Sequence, residues 1–144
     1  MPKLLCSEGP PLFTLEIKDV VKMKPDASVS EAVKEMVRRH IGSVLIVDEN
    51  DRPIGIFTER DLLIKVIGKN KGLETSLKEV MTPDPIVARE DWSASKALET
   101  MISRGFRHLP IVDDQGVLVG IVSIKDIARI FFEEVDIEDL YAAG

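Results

Sequence analysis

Two residue pairs in the chain invite a chemical reading: Thr58-x-x-Asp61 and Ser123-x-x-Asp126. Each follows an apolar run that contains a glycine, Gly55-Ile56-Phe57 and Gly120-Ile121-Val122. Matched positions differ by a constant 65 (120−55, 123−58, 126−61). A hydroxyl followed three residues later by an acid is an ordinary helix start. The oxygen accepts from a first-turn N–H, and the acid offsets the positive end of the helix dipole. Two features go beyond that account. The residue before each Asp is basic, Arg60 and Lys125. A cation in the first helical turn is disfavoured by about 0.3–1 kcal/mol, and an anion bound nearby would reverse the sign. A glycine in the preceding strand also lets a ligand come close to the backbone, and free amides at a helix start form a phosphate site. An Asp beside a phosphate has a different natural partner, a pair of hydroxyls such as a ribose diol. Phosphate donors, a diol acceptor and neighbouring apolar strands describe a nucleotide.

Other chemistries find little support. His40, His108 and Cys6 make no metal-ligand spacing. His40 falls at a helix C-terminus, where it complements the dipole. Ser123, His108 and Asp126 do not form a nucleophilic triad, because the acid sits one helical turn from the serine instead of orienting the histidine. No glycine-rich nucleotide loop of the G-x-G-x-x-G or Walker type occurs. Trp92, just before a helix, is read as a packing anchor. Lys65, Lys69 and Lys71 are read as a solvated linker. The chain is therefore expected to be no enzyme.

The elements that must carry the two pairs can be read from periodicity. Val29, Ala32, Val33, Met36 and Val37 recur at helical spacing. Ser28 with Glu31 is a capping-box signature for that helix, and Gly42 a stop. Ser43-Val44-Leu45-Ile46-Val47 is a continuous apolar run, as in a strand buried on both faces. The polar stretch 48–53 is a turn, Ile54 to Phe57 a second strand, and Thr58 caps a second helix that runs to about Ile67. After Gly68-Lys69-Asn70-Lys71-Gly72 the order returns. Ala94, Ala97, Leu98, Met101 and Ile102 repeat the helix, and Leu109-Pro110-Ile111-Val112 repeat the strand. Residues 26–67 match 91–132 without a gap, while upstream the match needs five inserted residues around 81–85.

Such a duplication predicts two similar units. A two-stranded piece is marginal alone, so the units are expected to pack about a pseudo-twofold axis. The expected divisions are an N-terminal arm at 1–14, a first unit at 15–67 that opens with a short helix from Leu15 to Val21, a linker at 68–75, a second unit at 76–132 and an acidic tail at 133–144. That tail mixes aromatics with five carboxylates between Phe131 and Tyr141. It reads as a helix extension covering the core, with a docking segment for a partner or a second subunit as the alternative.

Composition agrees with one soluble globular domain or two half-size units: 144 residues, 44% apolar and 31% charged. The net charge of −6 argues against a nucleic-acid backbone surface. One cysteine excludes an intrachain disulfide and suits a cytoplasmic protein. No apolar run approaches the ~20 residues of a membrane span, and residues 1–6 lack the apolar core of a secretion signal.

Residues of about 12–134 resemble a tandem pair of CBS domains (cystathionine-β-synthase type, a Bateman module). The resemblance rests on Gly55 to Leu62, Gly120 to Ile127, Arg107-His108-Leu109-Pro110-Ile111-Val112-Asp113 and Val80-Met81-Thr82-Pro83. It implies an α/β (α+β) fold of two β-α-β-β-α units with a ligand cleft between them. It also implies a stand-alone regulatory module that binds AMP, ADP or ATP as its ligand, forms a homodimer and acts on an effector protein in trans. S-adenosylmethionine or nucleic-acid binding, and a ligand-free protein-interaction module, are the alternatives. By the same resemblance Asp61 and Asp126 take ribose hydroxyls, and Thr58 and Ser123 lie near the phosphates. Thr82, Pro83, Ile86 and Val87 help hold the base. Thr82, Arg107 and His108, the last two preceding Pro110, work with Thr58 and Asp61. The first unit departs from the pattern, with Met23 in place of the Met-Thr-Pro stretch and Gly42-Ser43 in place of Arg107-His108. The Ser123/Asp126 site is then expected to be the weaker one.

Overall fold

A computed structural model of the chain describes residues 9–14 and 20–133. A 3-10 turn, Leu12–Thr14, comes first. Then follow β1 (Lys22–Met23), α1 (Val29–Arg39), β2 (Ser43–Val47), β3 (Pro53–Thr58) and the single turn α2 (Glu59–Asp61). A π-helical stretch, Leu62–Ile67, continues α2. After it come α3 (Leu77–Val80), β4 (Thr82–Pro83), β5 (Ala88–Arg89), α4 (Ala94–Arg104), β6 (His108–Val112), β7 (Leu118–Ser123) and α5 (Ile124–Glu133). Two sheets result, ordered β1-β2-β3-β4 and β5-β6-β7. The described residues divide into a first body, 20–86 with 115–118, and a second body, 9–14 with 87–114 and 119–133.

The capping box predicted at Ser28 is present. Ser28 Oγ accepts from Glu31 N at 3.1 Å, and Ser28 N donates to the Glu31 carboxylate at 3.2 Å. The helix ends at Arg39, three residues before Gly42. His40 takes the left-handed conformation at φ 54°, and its N–H closes on Met36 and Val37 carbonyls. Gly105, 65 residues on, makes the same turn at φ 75°. α1 buries Val29, Ala32 and Met36 against Val44, Ile46 and Phe57 of the sheet. Val37 and Ile102, the last residues of the two helical patterns, stay 68% and 65% exposed. The helix expected from Thr58 to Ile67 is one α turn followed by the wider π stretch.

The repeat runs further upstream than residue types suggest. Met23 pairs with Ile46, and Ala88 with Ile111, in parallel register and at the same offset of 65 (88−23, 111−46). Leu77 N donates to Ala27 O and Lys78 N to Pro25 O; Leu12 N donates to Trp92 O and Phe13 N to Glu90 O. Those pairs too differ by 65 (77−12, 92−27). The five-residue insertion expected around 81–85 is therefore not needed. Backbone hydrogen bonds keep the register, whereas side chains such as Phe13 and Lys78, or Met23 and Ala88, have diverged.

These bonds also show where each lead-in segment packs. Residues 10–13 stitch onto the second body, and residues 75–78 onto the first. Leu12 and Leu77 are both fully buried there. Hence the segment 76–86, which sequence order counts with the second repeat, packs with the first, and residues 10–14 are a docked lead-in instead of a free arm. The expected helix at 15–21 falls largely outside the described residues, and its last two, Val20 and Val21, are not helical. The acidic tail beyond Glu133 also lies outside them.

Candidate functional site

Both pairs sit at a strand-to-helix corner, and the corners share one construction. β2 and β3 are antiparallel, with Ser43 opposite Thr58. Thr58 ends β3 with extended backbone, φ −117° and ψ 167°. Its Oγ1 accepts from Asp61 N at 3.1 Å, and its N–H donates to Asp61 Oδ2 at 3.0 Å. Glu59 N donates back to Gly42 O at 3.0 Å. At the second corner Asp126 N donates to Ser123 Oγ and Ser123 N to Asp126 Oδ2, both at 3.1 Å. Ile124 N donates to Arg107 O at 2.9 Å. Capping geometry, reproduced bond for bond, is what the hydroxyl-x-x-Asp spacing builds first.

The corners then differ. In the first, Thr82 on β4 lies opposite Ile56 of β3. Its hydroxyl donates to Asp61 Oδ1 at 3.0 Å. Lys65 Nζ lies 3.1 Å from the same oxygen and also reaches Met81 O at 3.3 Å and Thr82 Oγ1 at 3.2 Å. Thr58 Oγ1 completes the set by donating to Asp61 Oδ2 at 3.1 Å. The Asp61 side chain keeps only 6% of its surface exposed. A carboxylate that the sequence casts as an open diol acceptor is thus already engaged on both oxygens. Gly55 has a similar outcome. A Cβ there would overlap the Met81 side chain, so the space that glycine opens over β3 is filled by this thioether.

The remaining expected residues fall as follows. Arg60 and Lys125 are exposed beside their Asp partners, and Pro83 is exposed opposite Gly55. Met23 is half-buried on β1, and Ile86 ends the first body. Val87 resumes the second body just before β5. Arg107 and His108 are exposed at the start of β6, and Pro110 is buried within it. The structure therefore brings Thr58, Asp61 and Thr82 together in one body. In the other it gathers Ser123, Asp126 and the Arg107 carbonyl. Among the described residues no cluster of His, Cys, Asp or Glu could hold a metal ion, and no helix is long and apolar enough to cross a membrane.

A family model for the CBS domain matches residues 14–68 and again 77–133. The chain belongs to the CBS domain family. An uncharacterised protein of Methanopyrus kandleri is 42% identical over 114 residues, which cover 78% of this chain and 58% of that protein. The chain thus spans little more than half the length of that relative. The CBS domain pair of protein MJ0100, solved with 5-methylthioadenosine and S-adenosyl-L-methionine, superposes with a TM-score of 0.73 at 29% identity, covering 87% of this chain and 98% of that one. The CBS-pair protein CBSX2 of Arabidopsis thaliana, solved in complex with AMP, gives 0.73 at 25% identity over 89% of this chain and 100% of that one. Two sheets with flanking helices are the fold of these CBS pairs.

Sequence reasoning missed Lys65 at the first corner, counting it with the linker lysines. The signal was present in the spacing. Asp61 and Lys65 are four residues apart, the separation at which helical side chains meet. At the same offset of 65 the sequence has Ile130 for Lys65 (130−65) and Ile17 for Thr82 (82−17), so these two residue types are not repeated.

Proposed function

We propose that the chain is a non-catalytic regulatory module that binds an adenosine nucleotide, AMP, ADP or ATP, at its strand-to-helix corners and signals to a partner protein. One observation carries this reading. The hydroxyl-x-x-Asp corner is built twice with the same hydrogen bonds, in a fold whose relatives hold adenosine compounds. Asp61 and Asp126 receive the ribose diol, Thr58 and Ser123 face the phosphates, and Thr82, Pro83, Ile86 and Val87 flank the base. Arg107 and His108 supply phosphate contacts. Ligand binding biases one arrangement of the chain over another, and a regulator of this kind shifts populations only by its differential affinity. Exposed Val37, Leu63, Ile64 and Ile67 of the first body, with Ile102 of the second, support a homodimer. Calorimetric titration with AMP, ADP, ATP and S-adenosylmethionine tests the reading, repeated on Asp61→Ala and Asp126→Ala. Binding that weakens in a variant supports it; no heat from any adenosine compound at millimolar concentration rejects it.

The saturation of Asp61 favours a second reading, an interaction module in which the motif serves only as architecture. Under it both variants lose stability and neither changes a ligand response.

A further inference from the structure

Asp61 has no spare acceptor capacity. A carboxylate offers about four lone-pair positions. Thr58 N and Thr58 Oγ1 occupy Oδ2; Thr82 Oγ1 and Lys65 Nζ occupy Oδ1. The donors on Oδ2 close the turn at the start of α2, so a diol can enter only on Oδ1, by displacing Thr82 and Lys65. The hydroxyl of Thr82 can rotate and find another partner. An ammonium cannot be discharged so simply. Once off Asp61, Lys65 keeps the neutral oxygens Met81 O and Thr82 Oγ1 and the water that its 38% exposed side chain admits, none of which carries a charge. A neutral diol would therefore break an ion pair with one almost fully buried member and return no charge. A diol ligand that carries its own anion returns it.

Resting on the adenosine reading above, we infer that Lys65 is a specificity-determining residue. It acts as an internal counter-ion that makes the first corner select anionic nucleoside phosphates over neutral or cationic adenosyl compounds. Arg60, exposed one residue before Asp61, adds to the same preference without being bound to the carboxylate.

The test compares AMP with adenosine by calorimetry on the full chain carrying Asp126→Asn, so that the first corner dominates the signal. Lys65 is kept, replaced as Lys65→Arg, or replaced as Lys65→Gln. With Lys or Arg, AMP is expected to bind at least about tenfold tighter than adenosine, as for other closely paired charges. With Gln the ratio falls several-fold, through tighter adenosine as well as weaker AMP, while Arg60, Arg107 and His108 keep part of the preference for the phosphate. Should Lys65→Gln fail to fold, the same ratio measured on the Lys65 protein must fall as salt rises from about 50 to about 500 mM, since salt screens charge. A ratio unmoved by Lys65→Gln, or by salt, overturns the inference and leaves the adenosine reading standing. Absence of binding by both ligands to every variant rejects the adenosine reading, and this inference with it.

Discussion

Replacing Asp61 by alanine removes the shared acceptor of four donors, and its cost can be set against the matching change at Asp126. At the first corner Thr58 N, Thr58 Oγ1, Thr82 Oγ1 and Lys65 Nζ all lose their carboxylate. Removing one member of a buried ion pair costs about 3–5 kcal/mol, while exposed pairs cost about 1 or less. Asp61 is 6% exposed and Lys65 38%, so water can re-solvate the ammonium. The lower end, about 3 kcal/mol, applies. Asp126 is less buried than Asp61, so Asp126→Ala should lose less, with the capping bond from Ser123 N contributing about 1 kcal/mol of it. For a chain of this size 1 kcal/mol shifts Tm by about 2–4 °C. Asp61→Ala should then melt about 6–12 °C lower and Asp126→Ala less far, with about 2–4 °C from its capping bond. Urea and thermal unfolding of exhaustively dialysed protein give the comparison. A double-mutant cycle with Lys65→Met should return a coupling of about 1–2 kcal/mol, between the exposed and buried limits. Equal losses at the two corners, or zero coupling, would refute the description of Asp61 as a buried hub.

Gly55→Ala places a Cβ 2.9 Å from Met81 Cγ; a loss of about 1–3 kcal/mol is expected from overpacking, and Met81→Ala in the same chain should recover most of it in urea unfolding. Ser28→Ala and Ser93→Ala each remove one side-chain cap, the acceptor of Glu31 N and of Lys96 N, while the bond from Ser28 N to the Glu31 carboxylate survives in the first; each should cost about 1 kcal/mol, measured by chemical denaturation. Arg39, and then Arg38, hold the Glu35 carboxyl below its ordinary 4.5. Their stabilisation is thus present above about pH 4.5 and is lost as pH falls through the lowered folded value. An NMR titration should place the Glu35 midpoint below 4.5, and Arg39→Ala should raise it.

What could be read in the sequence was whatever depends on neighbours in the chain. Ser28 and Glu31 announce a capping box because both bonds close within one turn. Ser43 to Val47 announces a buried strand because every residue but the first is apolar. The two Asp corners showed through their exact repetition of spacing. The failures came where partners lie far apart or where residue type is not what holds the structure. Thr82 meets Asp61 across 21 residues, and only the resemblance, not periodicity, suggested it. Lys65 was visible at four residues from Asp61, but was read as linker because Lys69 and Lys71 follow. His40 takes a left-handed turn where glycine is the usual signal, so the stop was assigned to Gly42. The upstream repeat was hidden because backbone bonds at 10–13 and 75–78 tolerate unlike side chains.

The crossed lead-ins also set a timetable for synthesis. Leu12 leaves the ribosome well before its partner: the carbonyl that receives its amide, Trp92 O, is 80 residues behind it (92−12). At about 5–20 residues per second that is a wait of roughly 4–16 s. The first body has its own lead-in at 75–78, and most of it is complete once residue 86 has emerged. Throughout that interval an apolar segment destined for full burial has nowhere of its own to go. The second body, completed after the first, includes residues made before any of the first body's.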